Sequence, residues 1–120
     1  MSYIDLHMHS YYSDDGEFEP KQLIDLCLEK NIKYFSIADH NSVRGIKEAK
    51  EYCVGKNINI IPAIELDCTF NEINLHVLGY GIDYDKTVFY DIEDNIIKQE
   101  QFASKKRMKL VKELGIDFSE

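Results

Sequence analysis

Ile4, Leu6 and Met8 alternate with Asp5 and His7, and this period of two predicts a strand over residues 3–8. A loop rich in Ser, Asp and Gly follows it. From Pro20, suited to the first turn of a helix, the apolar positions Leu23, Ile24, Cys27 and Leu28 recur on one helical face until Asn31 offers a stop. The order then repeats. Residues 34–38 read as a short buried strand. Ser42 is a plausible N-cap for a helix with the stripe Val43, Ile46, Ala49 and Cys53, ended by Gly55. A third apolar run, 58–64, reads as another buried strand. Strands alternating with amphipathic helices predict an α/β fold with a parallel sheet or barrel, because parallel neighbours need crossover connections. Past that point the pattern changes. Residues 66–70 and 73–80 flank Asn71 and Glu72 as a hairpin without the favoured Asn-Gly turn. Phe89, Ile92, Ile96, Ala103, Leu110 and Leu114 then keep helical spacing over 85–114, as one long helix or two with a break, capped by Gly115.

At 120 residues the chain suffices for one domain, 1–120. Hydrophobic residues at 44% and charged residues at 30% are ordinary globular values, which argues against disorder. A net charge of -8 argues against an extended nucleic-acid surface, because gripping a phosphate backbone needs clustered cations. Any phosphate-bearing partner must be attracted locally, and bound divalent ions do that while relieving repulsion between carboxylates. Cys27, Cys53 and Cys68 lie in apolar stretches without close pairing, so the expectation is three free, buried thiols in a reducing compartment. The start MSYIDLHM lacks a leader pattern and no run approaches a membrane span, which makes a cytoplasmic location and no membrane partner the expectation.

Each of the four histidines stands at or beside the end of a predicted strand next to an acidic or small polar residue. His7 and His9 form a His-x-His pair whose period of two turns both imidazoles to one side, with Asp5 on that side as a residue able to orient one of them. Two converging imidazoles suit Zn, Mn or Fe; the pair also suits a polar pocket without an ion. Asp39 and His40 follow the second strand at its C-terminal end, where parallel α/β folds place ligands, with Asp39 a candidate to support an imidazole as Asp5 does, although the pair also fits a simple helix start. Glu65 closes the third apolar run on the same rim, and its two oxygens allow it to bridge two metals. His76 lies on the returning strand, where ligation and an ordinary hydrogen-bonded histidine fit equally well. Asp14 and Asp15 in SDDG read singly as solvated turn residues. Together these positions map to one face of one sheet.

The runs DLHMHSYYSDDGEFEP, SIADHNS, PAIEL and NLHVLGYGID resemble the successive motifs of the PHP (polymerase and histidinol phosphatase) family, over nearly the whole chain. HVLGYGID followed by a helix with KKRMKLVKELGI is most similar to the branch of nucleoside 3',5'-bisphosphate phosphatases and 5'-to-3' exoribonucleases. The resemblance implies the N-terminal portion of a distorted (β/α)7 barrel with up to three divalent ions (Mn, Fe or Zn) at the C-terminal strand ends. Carried over by residue, His7, His9 and Glu65 would hold the first ion, and His40 with the loop aspartate the second. Glu65, as a bridge, would share the third with His76. Asp15 is the preferred loop ligand, because Asp15-Gly16 with Pro20 matches the family's Asp-Gly-x-x-x-Pro. The family's remaining ligands come from a C-terminal half absent from these 120 residues, so an incomplete domain is expected.

The implied activity is metal-dependent hydrolysis of phosphate esters, on a phosphorylated small molecule, a nucleotide or an RNA 5' end. No GxxxxGK[ST] loop competes with that reading. The alternatives are a histidinol-phosphate phosphatase-like enzyme, a polymerase-associated exonuclease, and a non-catalytic metal-binding module that docks through the long helix. The basic run Lys105, Lys106, Arg107, Lys109 and Lys112 reads as a solvated helix face. Tyr11, Tyr12 and Phe18 have the chemistry to stack a base, but packing against the rim is the expectation.

Overall fold

The computed structural model describes residues 3–115; residues 1–2 and 116–120 lie outside the described residues. Strand β1 (Ile4–Met8) pairs in parallel with β2 (Tyr34–Ile37), and β2 pairs in parallel with β3 (Asn59–Ile60). The crossovers are helices α1 (Pro20–Glu29) and α2 (Arg44–Cys53). Their apolar stripes meet the sheet in one cluster of Leu23, Ile24, Cys27, Phe35, Ile37, Ala49, Cys53 and Ile58. The expected α/β order therefore holds, driven by burial of one stripe per helix.

Helix α1 starts at Pro20 behind a reciprocal cap, in which the Glu19 backbone N–H donates to Gln22 Oε1 at 2.9 Å. Asn31 ends the segment with φ 59, a left-handed conformation that asparagine tolerates. Helix α2 departs from expectation. It begins at Arg44 with Val43 at the cap, and the Ser42 hydroxyl accepts the Arg44 N–H at 3.3 Å without occupying the N-cap position. Asn41 at φ 56 turns the chain just upstream, which delays the helix.

The run 58–64 is not one strand. Pro62 has no N–H to donate and interrupts it, so β3 is limited to Asn59–Ile60 and a new strand, β4 (Ala63–Phe70), begins after the proline. β4 runs antiparallel to β5 (Ile73–Tyr80), paired from Ala63↔Tyr80 to Phe70↔Ile73. Asn71 and Glu72 both have positive φ, 48 and 65, the signature of a tight mirror-image turn made without glycine. Glu65 consequently sits third in an eight-residue strand rather than at the end of a parallel one. Backbone bonds tie it to the exit of β2: its N–H donates to Asp39 O at 3.0 Å, and the Asn41 N–H donates to Glu65 O at 2.8 Å.

Val43, Ile46 and Ile64 form a second buried cluster, against which Leu66, Ile82, Tyr84 and Phe89 pack. Helix α3 (Thr87–Glu113) is a single unbroken helix of 27 residues, none of them buried, and Gly115 follows it at φ 85. An Arg44–Glu93 ion pair holds its first half to α2. Among the described residues no helix is long and apolar enough to cross a membrane. Cys27 and Cys53 are free and buried as expected. Cys68 is free but exposed, because only the first half of β4 faces a core.

Stability should follow this division. Phe35 is fully buried, so Phe35→Ala is expected to cost about 3–5 kcal/mol. Phe70→Ala, at the hairpin tip, should cost less than about 0.5 kcal/mol, both read from urea unfolding midpoints.

Candidate metal centre

The first-strand histidines owe their direction to a local irregularity. Between Asp5 and Met8 the register with β2 shifts, inserting one extra residue into β1. Such a bulge re-aims side chains. It also breaks the alternation that was expected to keep Asp5 beneath the imidazoles. Asp5 Oδ1 accepts the His7 backbone N–H at 3.2 Å, so the carboxylate holds the main chain rather than a ring nitrogen.

The loop after β1 is braced from below. Ser10 and Ser13 are buried, and the Gly16 N–H donates to Ser13 O at 3.1 Å. A Cβ on Gly16 would stand 1.8 Å from the Ser10 carbonyl oxygen, so only glycine fits this close approach. Asp39, also expected to support an imidazole, instead accepts the Ser10 N–H at 2.6 Å and the Ser10 hydroxyl at 2.5 Å. Burial pushes the Asp39 carboxyl above its ordinary range, outweighing the opposing Ser10 hydrogen bonds. The Ser13 hydroxyl accepts the His40 backbone N–H at 2.6 Å, which joins this loop to the exit of β2.

On that platform the side chains converge. Glu65, with its side chain 4% exposed, lies at the centre. Its Oε1 is 2.5 Å from His7 Nε2 and 3.4 Å from His9 Nε2, and those two ring nitrogens are 3.1 Å apart. Its Oε2 is 3.0 Å from His76 Nδ1 and 3.3 Å from His40 Nδ1. Asp15 spans the other side, with Oδ1 2.6 Å from His9 Nδ1 and Oδ2 3.1 Å from His40 Nε2. Of the two loop aspartates, Asp15 is the one that reaches the imidazoles. Asp14 lines the adjoining groove.

Three overlapping groups result: His7, His9 and Glu65; His9, Asp15 and His40; and His40, Glu65, Asp67 and His76. Within each, the ligand atoms lie within 4.8 Å of one another. All six positions expected from the sequence, His7, His9, Asp15, His40, Glu65 and His76, meet here. Asp67 was missed, although a period of two from Glu65 puts it on the same face of β4.

Electrostatics ties the set together. Burial raises the Glu65 pKa, but the His7 hydrogen bond and the charges of His40, His7 and His9 outweigh it, leaving the carboxyl below its ordinary value. Asp15 behaves alike: burial raises it, and the His9 hydrogen bond with the His9 and His40 charges brings it below the ordinary value. For His40, burial lowers the pKa while Asp67, Glu65 and Asp15 raise it further, for a net upward shift. Imidazole nitrogens and carboxylate oxygens crowded this closely need positive charge among them. The mixed N/O set fits a divalent metal ion.

A groove of about 340 Å³ opens beside the cluster, walled by Tyr12, Asn41, Ile96 and Ile97 and by the carboxylates Asp14, Asp15, Asp67, Glu93 and Glu100. Tyr11, Tyr12 and Phe18 are partly exposed rather than packed into the rim, and Phe18 lines a second opening beside His7 and His9. The basic residues Lys105 to Lys112 lie exposed on α3.

The chain is 31% identical over 81 residues to the 5'-3' exoribonuclease Rnm of Salmonella typhimurium, an alignment covering 66% of this chain and 27% of that protein. It is 28% identical over 104 residues to the DNA polymerase/3'-5' exonuclease PolX of Bacillus subtilis, covering 74% of this chain and 16% of that one. The chain thus spans about a quarter or less of the length of these relatives. An amidohydrolase from Chromobacterium violaceum has the same fold over 98% of this chain and 41% of its own, with a TM-score of 0.79 at 23% identity. That structure carries bound sulfate and no metal. The PHP domain profile matches residues 5–115, nearly everything the structure describes, and the chain belongs to the PHP domain family.

Proposed function

We propose that this chain carries the N-terminal share of a metal-dependent phosphoesterase centre, acting on phosphate esters of nucleotides or short RNA ends. One observation carries the reading. A single buried carboxylate, Glu65, turns one oxygen to His7 and His9 and the other to His40 and His76. Such a residue suits two adjacent cations, as an imidazole does not. His7, His9 and Glu65 would hold one ion, His40 and Asp15 a second, and Glu65 would share a third with His76. Mn, Fe and Zn all suit these donors.

The groove supports the same reading through its charge. Its walls bear five carboxylates, which by themselves repel a phosphate ester. Divalent ions supply the neutralising charge and the Lewis acidity that phosphate-ester hydrolysis needs. Within that arrangement Glu65 and Asp15 stay ionised at neutral pH because the imidazoles hold their pKa values down. Tyr12 and Ile96 offer the groove its less polar surface, where a nucleoside can lie. The relatives named as a 5'-3' exoribonuclease and a 3'-5' exonuclease both point to nucleotide phosphodiesters. Residues 1–120 are read as part of one PHP domain, since each donor group offers only three or four side chains.

A second reading has one observation in its favour. Helix α3 exposes Val88, Tyr90, Ile97, Phe102, Met108 and Leu110, as a docking helix of a metal-binding module would.

With the full-length protein and added Mn, release of phosphate from a nucleoside 3',5'-bisphosphate is the expected activity. His9→Ala and Glu65→Gln should each lower it by at least about 100-fold, from the loss of a ligand. Full activity in His9→Ala would overturn the phosphoesterase reading, and metal bound without turnover would favour the docking module.

A second measurement concerns protons. In the metal-free chain the carboxylates of Asp67, Glu65 and Asp15 outweigh burial and make His40 hold its proton more tightly than an ordinary imidazole, so a binding cation competes with that proton. Metal affinity should therefore rise as pH passes upward through that raised value, with protons released on binding below it. Calorimetry in buffers of different ionisation enthalpy reads both, and an affinity unchanged between about pH 6 and about pH 8 would contradict it.

A further inference from the structure

We infer that Asp67 is the positioning carboxylate of this centre: it accepts the Nδ1 proton of His40 and so presents the bare Nε2 of that ring toward Asp15. The inference rests on the reading of the cluster as a metal centre. Asp67 Oδ1 lies 2.9 Å from His40 Nδ1. The other nitrogen of the ring, Nε2, lies 3.1 Å from Asp15 Oδ2. A neutral imidazole has one donor and one acceptor nitrogen, and a nitrogen that serves a cation must keep its lone pair. If the ion lies among His9, Asp15 and His40, the proton belongs on Nδ1, and Asp67 is its nearest acceptor. Glu65 Oε2 is farther from Nδ1, at 3.3 Å, and already faces His76.

Asp67 is itself held on both sides. Its Oδ2 accepts from Asn41 Nδ2 at 3.2 Å, while its backbone N–H donates to Asn41 Oδ1 at 2.9 Å. This reciprocal pair straps the turn after β2 to β4. Asn41 adopts φ 56 there, and its own N–H is taken by Glu65 O. The carboxylate therefore has a fixed direction before any ion arrives. A carboxylate that orients a ligating histidine in this way sets its tautomer and raises its basicity. Asp67 is 42% exposed at the rim while Glu65 is 4% exposed. It can be replaced without emptying the core.

The test is the tautomer of His40 in the full-length protein, read by long-range proton–nitrogen NMR with histidine labelled in nitrogen-15, zinc-loaded and metal-free. The His40 signal is assigned by its loss in His40→Gln. The expected result in the zinc-loaded protein is a proton on Nδ1 and none on Nε2. Asp67→Ala should weaken zinc binding by roughly 10- to 100-fold, and Asp67→Asn, which keeps an acceptor oxygen, by less. Asn41→Ala removes the strap but leaves the carboxylate, so it should leave the tautomer unchanged. A zinc-loaded protein with Nδ1 bare, or unaltered zinc affinity in Asp67→Ala, would overturn the role of Asp67. So would an Asn41→Ala variant that reproduces both effects, since the contribution would then be the strap alone. Failure of the unaltered protein to bind zinc or manganese would instead overturn the metal reading beneath it.

Discussion

The centre depends on one carboxylate taken out of water. Glu65 is almost wholly buried, and an ionised group in that position is costly unless positive charge or hydrogen bonds compensate it. Four imidazoles supply that compensation, two at each oxygen. Reciprocal backbone bonds between Glu65 and the Asp39–Asn41 segment seat the carboxylate beside His40, and the antiparallel pairing with β5 then brings His76 to its second oxygen.

Beneath the clustered side chains lies a layer whose hydrogen bonds run to the backbone and within the layer itself. Ser10, Ser13 and Asp39 are buried and mutually bonded, and they join the loop after β1 to the exit of β2 through backbone N–H groups. Gly16 and Gly45 mark where this layer is tightest: a Cβ on Gly45 would come within 3.3 Å of Asp39 Oδ2 and Ser10 Oγ. Buried polar networks of this kind are rigid when fully satisfied. That rigidity holds the backbone of His9 and Asp15 on one side and of His40 on the other.

The fold divides into a packed unit and a thinly packed periphery. The three parallel strands and two crossover helices bury Phe35, Ile37, Ile24 and Ile46, while the outer half of the hairpin and α3 expose much of their apolar surface. The clustered imidazoles and carboxylates stand on or beside the packed unit, except for His76. It depends on the register of a hairpin whose turn is made by Asn71 and Glu72.

Much of this was legible in the chain itself. Periods of two and of 3.6 are local properties, so the strands, both crossover helices and the long third helix could be read from spacing alone. His7, His9, His40 and Glu65 were recognisable because each falls at or beside the end of an apolar run with polar neighbours, although Glu65 lies inside β4. Other features were decided only in three dimensions. Pro62 divided an apolar run that hydrophobicity alone joined. Asp5, beside a register shift in β1, bonds the His7 backbone rather than a ring nitrogen. Asp67 looks like one more solvated acid on an outer strand until Asn41 and His40, 26 and 27 residues away, are brought against it. The physical reason is the range of the forces involved. Side-chain direction within an element follows from backbone geometry over a few residues, whereas the meeting of nitrogen and oxygen atoms from distant segments is set by strand register, tight turns and burial, which no local pattern encodes.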